Sequence, residues 1–595
     1  MKTLKHGLDR FLAFVCIVDF IVMVLLTVYQ VVVRYVFKSP SSVSEVLTRY
    51  CFVWLILLSA TYVFGQRDHI CITYLKDKLN GSTKRLLDAA IEVVIILFSA
   101  LILVYGGSVI TTMNMLQYDS ILKIPTGTIY SIIPVCGVLI IFYSIYNLTV
   151  ELNKKEGGEY VMSIAVQVAL VMVVLLVLLL AAGVPIGVGI GLSSAVSMIC
   201  MLPSNVAFAT SAQRIFAGSN SFSLIAIPFF ILAGNIMNNG GIALRLVNCA
   251  KVIGGRMPGA LAQSNVIANM LFGAISGSGA AAAAAIGSTM GPLEEAEGYD
   301  KNYSAAVNVA SAPVGMLIPP SNTMIVYSTV AGSVSISALF MAGYVPGLIW
   351  GLGVIILATI TAKKLGYRGE AKLTASIVLK TFWQAIPSLL MIVIVIGGIL
   401  CGVFTATEGS AVAVVYATVL SLIYGSIKIK DIPRIVLESA KITGTITFMI
   451  GLSSIMSWAM AFTGIPDMVA AAVLGITSNK IIIFLLINII LLFVGTFMDP
   501  TPAILIFTPI FLPICTSLGM NAVQFGIVLC YNLSVGTITP PVGTILFTGC
   551  KVGGVTIESV ISHLLPYFVM IIIGLLLVTY VPVLSLGLPS LLGLL

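Results

Sequence analysis

Apolar runs long enough to cross a bilayer recur along the whole chain, each about 20 residues and each followed by a short polar connector. No other feature limits the fold as much. In hydrocarbon every backbone N–H and C=O must be satisfied inside a helix or a closed barrel, and the alternation of lipid-facing barrel strands is absent. The chain therefore reads as an all-α polytopic membrane protein. Its 595 residues hold roughly 15–17 membrane segments, counting those that enter and return. Charged residues make up 9% of it, against about 25% in soluble domains, so almost nothing is left for an extramembrane domain.

The net charge of +8 looks like a nucleic-acid signal until the charges are placed. Lys2, Lys5 and Arg10 precede the first run, Lys76, Lys78, Lys84 and Arg85 occupy the second connector, and Lys154 and Lys155 follow the fourth run. The positive-inside rule makes these alternate connectors cytoplasmic; Arg34 and Lys38 fall on the other side, where long side chains snorkel. No nucleic-acid partner is expected. The ten cysteines are scattered without a CxxC pair, and only His6, His69 and His563 could join them. Neither a disulfide framework nor a zinc site is expected, and no catalytic residue stands out.

The polar stretch 153–160 reads as a cytoplasmic linker between a four-helix part, 1–152, and a larger part, 161–595. The first part carries apolar runs at 11–36, 46–64, 87–110 and 129–149; the first is longer than a signal-peptide core and reads as a retained span. Asp19 and Glu92 fall inside these runs, where an unpaired carboxylate costs about 2.5–3.5 kcal/mol. They read as helix-packing groups in preference to an ion relay, and Arg67-Asp68-His69 as an interfacial anchor.

The larger part contains a repeat. Gly315-Met316-Leu317-Ile318-Pro319-Pro320-Ser321-Asn322-Thr323 and Gly536-Thr537-Ile538-Thr539-Pro540-Pro541-Val542-Gly543-Thr544 share Gly, Pro-Pro and Thr 221 residues apart. The same offset pairs Pro292 with Pro513, Gly298 with Gly519 and Ile336 with Ile557, and sets Ser278 opposite Asp499. The copies lie around 205–362 and 376–582. Two consecutive prolines remove two donors and unwind a helix. Unwound carbonyls are tolerated in a membrane only where they line a cavity or hold a ligand, and with Ser and Thr hydroxyls they form the oxygen shell of an alkali cation. The second kind of break, at Ser276-Gly277-Ser278-Gly279 and at Asp499-Pro500-Thr501-Pro502, leaves apolar limbs too short for two full crossings, which implies two re-entrant hairpins. Asp499, alone among apolar residues, is expected to attract a cation or to bind substrate hydroxyl or amide groups. Inversion of the copies needs an odd number of crossings between them. Five or six runs fit, depending on whether 429–442, with Lys428, Lys430, Arg434 and Lys441, is a separate interfacial helix.

These motifs, with the poly-Ala run after Ser-Gly-Ser-Gly and Gly495-x-x-Met498-Asp499-Pro500, resemble the large membrane subunit of tripartite ATP-independent periplasmic (TRAP) transporters. The first part, with Glu45, Trp54 and Arg67-Asp68-His69, resembles the small subunit, so the chain resembles a fusion of the two. The resemblance implies an elevator-type transporter of the bacterial inner membrane with inverted repeats, driven by at least two sodium ions and not by ATP. It implies a periplasmic solute-binding protein as partner, a carboxylate-bearing substrate, and a monomer of the fused chain. One sodium would be held by Ser276 or Ser278 with the carbonyls of Gly315, Ile318 and Pro319, a second by Gly495, Thr496, Gly536, Thr539 and Val542. Ser278, Ser321, Asn322 and Asp499 would contact substrate. Fused forms are frequent among sialic acid importers of the family, which puts sialic acid first and a C4-dicarboxylate second. No GxxxxGK[ST] occurs in the sequence. The alternatives are a sodium/dicarboxylate symporter that needs no binding protein, matched by Ser321-Asn322-Thr323, and more distantly a membrane-embedded enzyme or a channel.

Overall fold

A computed structural model describes residues 2–35, 41–66, 82–151, 164–220, 222–332, 334–367, 375–465, 479–496, 498–540 and 543–595. Regular structure among them is helical, apart from an isolated bridge between Tyr118 and Pro125. Ten helices are long and apolar enough to cross a membrane, and one bent pair and four shorter apolar helices accompany them. The 15–17 expected segments include such short pieces and hairpin arms. The linker at 153–160 and the Arg67-Asp68-His69 cluster lie outside the described residues.

The chain divides into two compact units. The first comprises Met1–Pro228 and Pro433–Ala472. Its helices Lys2–Tyr35 and Ser42–Gln66 pack along each other. The Asp19 carboxylate bonds the Cys51 thiol across that pair, which suits the packing reading. Tyr143 donates to Asp9 at 2.7 Å and Trp54 to the Ile129 carbonyl at 3.3 Å. A π-helical turn, Ser99–Gly106, interrupts the third span just where Gly106 meets the Phe208 carbonyl too closely for a side chain.

The second unit comprises Phe229–Ile432 and Val473–Leu595 and holds both repeats. Helix Gly279–Ala296 corresponds end for end to Pro500–Ser517 at the 221-residue offset. Asp300 and Asn521 cap the next helices, accepting from Asn302 and Val523 at 2.9 and 2.8 Å. Ser335 and Thr556 cap the long helices Ile336–Leu365 and Ile557–Tyr580. Tertiary bonds repeat as well. Tyr303 donates to the Ala358 carbonyl and Gln524 to that of Thr579, both at 2.9 Å. Trp350 donates to the Ala310 carbonyl at 2.8 Å; at the matching pair of positions the donor changes sides, and Tyr531 bonds the Ile571 carbonyl at 3.2 Å.

The segment 429–442 is not a separate interfacial helix. After one 3₁₀ turn it opens a single helix, Ile432–Thr463, that is a candidate span. Lys441 does not end it because its ammonium lies over the Tyr62 ring at 5.2 Å. Among the described residues five crossings therefore separate the hairpins in sequence: the broken span from Lys301 to Ala331, then Ile336–Leu365, Ala375–Leu400, Ala406–Ile423 and Ile432–Thr463. An odd number inverts the second copy. Charge agrees, since Lys251, Arg256, Lys301, Lys363, Lys364, Lys380, Lys428, Lys430 and Lys551 all fall at the end where the first hairpin has its base. At the base of the second hairpin only Lys480 appears among the described residues. The positive-inside rule makes the first end cytoplasmic.

Candidate functional site

Each hairpin tip meets the Pro-Pro break of its own repeat, and glycines permit the approach. Gly273, one turn before the first tip, lies so close to Gly315 that a Cβ on either would overlap the other's backbone. Gly495 and Gly536 make the same crossing in the second repeat. Before the tip the two copies are thus 222 residues apart, one more than after it. The structure brings Ser276, Ser278, Gly315, Ile318, Pro319, Ser321 and Asn322 into one neighbourhood, and Gly495, Thr496, Asp499, Gly536 and Thr539 into another. Val542 lies outside the described residues.

At the first tip Gly277 closes helix Ala260–Ser276 in the left-handed region at φ 61°, and a Cβ there would sit 2.9 Å from the Pro320 carbonyl oxygen. The Ser276 hydroxyl donates to the Ser278 carbonyl at 3.4 Å, and Ser278 caps the returning helix by accepting from Ala281 N–H at 3.4 Å. Ser321 and Thr323 both donate to the Met316 carbonyl, at 2.5 and 3.3 Å, which fixes the unwound turn. No backbone N–H among the described residues is bonded to the carbonyls of Ile318, Pro319 or Pro320. The Asn322 Oδ1 is buried without a hydrogen-bond partner. Oxygens left uncommitted in apolar surroundings are of the kind that accept a donor or a cation.

Asp499 stands at the same N-cap position as Ser278, yet its side chain makes no cap bond. The sequence accounts for part of this. An N-cap side chain accepts from the second or third helical N–H, and here the third residue is Pro502, which has none, so the N–H that serves Ser278 is missing and Thr501 alone could donate. The carboxylate instead accepts from the Thr544 hydroxyl at 3.2 Å. Thr496 and Thr539 each donate to the preceding turn at 2.7 Å, leaving their oxygen lone pairs as acceptors. The Gly536 carbonyl accepts Thr539 N–H at 3.0 Å and keeps its second lone pair.

Three further residues of the repeated motifs shape the site without having been expected among its ligands. Thr323 and Thr544 occupy equivalent positions, one holding the first break and the other Asp499; their shared offset was the signal. Met316 joins the repeats, its sulfur within 3.9 Å of the Ser534 hydroxyl and against Gly279. The packing is reciprocal: Gly279–Ala296 lies on Thr544–Gly553, and Pro500–Ser517 on Asn322–Ala331.

Two family descriptions match the chain. The DctM component of tripartite ATP-independent periplasmic transporters matches residues 173–584, and the DctQ component matches residues 23–153. An isethionate TRAP transporter permease protein of Oleidesulfovibrio alaskensis is 40% identical over 376 residues, 62% of this chain and 59% of its own. A C4-dicarboxylate TRAP transporter large permease protein of Pseudomonas aeruginosa is 37% identical over 403 residues, covering 68% and 94%. A sialic acid TRAP transporter permease protein of Haemophilus influenzae is 28% identical over 596 residues, covering 95% and 96%. The chain belongs to the tripartite ATP-independent periplasmic transporter family, with the DctQ and DctM components fused, and is a multi-pass protein of the bacterial inner membrane.

Proposed function

We propose that the protein imports a small organic anion bearing a carboxylate, delivered by a periplasmic solute-binding protein and driven by sodium. The observation that carries this is the pair of tip-and-break neighbourhoods, each a cluster of carbonyl and hydroxyl oxygens in an apolar core. Sodium fits that chemistry. Ser276, Ser278, Gly315, Ile318 and Pro319 would hold one ion, and Gly495, Thr496, Gly536, Thr539 and Val542 another. Ser278, Ser321, Asn322 and Asp499 would face the substrate, and the repeat core would carry the load in an elevator-type cycle. An anion of charge −1 moving inward against an inside-negative potential loses about 2.3 kcal/mol per 100 mV, and two sodium ions reverse the sign.

The relatives' names cover sialic acid, C4-dicarboxylates and a sulfonate, so the shared chemistry is a compact organic anion. Sialic acid is the first substrate to test and succinate the second, with isethionate as a third arm. The assay is sodium-gradient-driven uptake into liposomes with and without a binding protein. Uptake that depends on both is expected; full-rate uptake by the permease alone would reject the binding-protein requirement. Asp499→Ala should abolish uptake while leaving a folded protein in the membrane, and near-normal transport by that variant would overturn its role.

A further inference from the structure

One cavity of the repeat core lies away from both tips. It measures about 90 Å³ and lies at the base of the first hairpin, beside helices Lys301–Ser311 and Thr544–Gly553. Asn265, Glu294, Ser304 and Asn308 form its polar lining. Its volume is several times the roughly 10–15 Å³ that one water needs. At its rim the Lys301–Glu295 ion pair, 2.8 Å long, is half exposed, so water has access.

Glu294 is 1% exposed. Its Oε1 accepts from Asn265 Nδ2 at 3.1 Å, and its Oε2 is buried with the Ser304 hydroxyl as its one neighbouring donor, outside normal hydrogen-bond geometry. The charged and titratable groups on the surrounding elements are Glu295, Glu297, Tyr299, Asp300, Lys301, Tyr303, Lys251 and Lys551. Lys301 is paired with Glu295, His563 with Asp300, and among the described residues no basic side chain is paired with Glu294. An ion buried that far costs several kcal/mol unless it is neutralised. Either a metal cation or a proton can do so, and the amide orientations decide between them. Asn269 Nδ2 lies 2.9 Å from the side-chain oxygens of Asn265, Asn308 and Ser311, which its two hydrogens share. The amide oxygens of Asn265 and Asn308 are therefore turned to Asn269, and the amide that reaches Glu294 offers it an N–H; the Asn269 Oδ1 is buried without a hydrogen-bond partner.

The position is also not required by the architecture. Its counterpart in the second repeat, 221 residues on, is the buried Cys515. We propose that Glu294 is a proton-binding site, its carboxyl taking a proton from cavity water and returning it there, separate from the sodium ligands inferred at the tips. The amide chain Asn265–Asn269–Ser311 reports its state inward, because the bond from Asn265 to an ionised carboxylate is about twice as strong as to a neutral one. Ser311 opens the turn that leads to Gly315.

The test is infrared difference spectroscopy of the full chain in lipid vesicles between acid and alkaline buffer, which needs neither substrate nor binding protein. The expected result is a carbonyl band of a protonated carboxyl that disappears with rising pH. Glu294→Gln removes it and Asp499→Asn leaves it in place. Should Glu294→Gln not fold, Asn265→Leu keeps the carboxyl but removes the donor that favours its ionised form, and the transition then moves to higher pH. A pH-dependent band untouched by these Glu294-site variants, or a Glu294 carboxylate band that responds to sodium and not to pH, overturns the proposal. Loss of sodium-driven uptake without loss of this band would bear on the tip sites alone.

Discussion

Pro502→Ala restores a backbone N–H at the third residue of helix Pro500–Ser517, the position equivalent to Ala281, whose N–H caps Ser278. A cap is worth about 1 kcal/mol, so the carboxylate is drawn onto its own helix by that amount. Half-saturation for sodium or substrate should then rise about fivefold, since 1.4 kcal/mol is tenfold. Stability alone is a poor readout. The cap gain is offset by about 0.4–1 kcal/mol of extra unfolded-state freedom and by the loss of about two buried methylenes, ~1.6 kcal/mol. A double-mutant cycle with Asp499→Ala isolates the contact, because without the carboxylate the new N–H has nothing to bind. The expected coupling is about 1 kcal/mol in thermal or denaturant unfolding. Zero coupling together with unchanged half-saturation would refute the argument that Pro502 keeps Asp499 off its own helix.

Other perturbations test the packing around the site. A Cβ on Gly536 would penetrate the Gly495 backbone, whereas one on Gly495 would stand 3.1 Å from the Gly536 Cα. Gly536→Ala should thus cost about 3 kcal/mol and Gly495→Ala roughly 1 kcal/mol, while Gly397→Ala, with nothing within 4 Å, is neutral or stabilising; equal melting of all three would contradict this. Trp350→Phe and Tyr531→Phe should each cost about 1 kcal/mol for the lost bond. Their rings are 4.8 Å apart, so the double variant should depart from additivity by about 0.5 kcal/mol or more. In the loop before Thr126, the Tyr50 hydroxyl and the Leu122 and Ile121 amides hold the Asp119 carboxyl below the usual carboxylate range. A lowered value in the folded state means the contribution is complete above the unfolded value of about 3.9 and lost as pH falls through the folded one. Protection of the 121–122 amides, taken relative to their intrinsic exchange rate at each pH, should therefore fall between neutral and strongly acid pH more in the native chain than in Asp119→Asn.

The hairpins and breaks were legible because backbone chemistry is written in residue type: Pro-Pro must unwind, Ser-Gly-Ser-Gly must turn, and a fixed offset exposes both. What stayed open was the parity of crossings, since Lys428, Lys430, Arg434 and Lys441 look like the polar face of a surface helix until the tertiary structure lays Lys441 on Tyr62. The one-residue slip before the tips was also hidden. It shows only when Gly273 and Gly495 are seen to serve the same crossing, because Gly495 stands opposite Ala274 at the constant offset. The chain from Asn265 to Ser311 had no sequence signature, as asparagines carry no helical period and its members lie 4 to 42 residues apart.

The two copies keep the same backbone and differ in what they attach to it. Asp300 and Asn521, Ser335 and Thr556, and Gly315 and Gly536 do the same work in both, since each ends a helix or lets two helices cross. Elsewhere the residues differ: Ser278, which caps its helix, against Asp499, which does not, Glu294 against Cys515, Ser321 against Val542. Inversion makes the difference useful. Two hairpins with bases on opposite sides meet different solvents, so a carboxylate at the first base samples the cytoplasmic side while its cysteine counterpart samples nothing. With so few charges in the chain, each carboxylate the core does hold changes the energy of moving an anion and its cations together. In the proposed cycle, Asp499 at one tip and Glu294 at the opposite base set that energy.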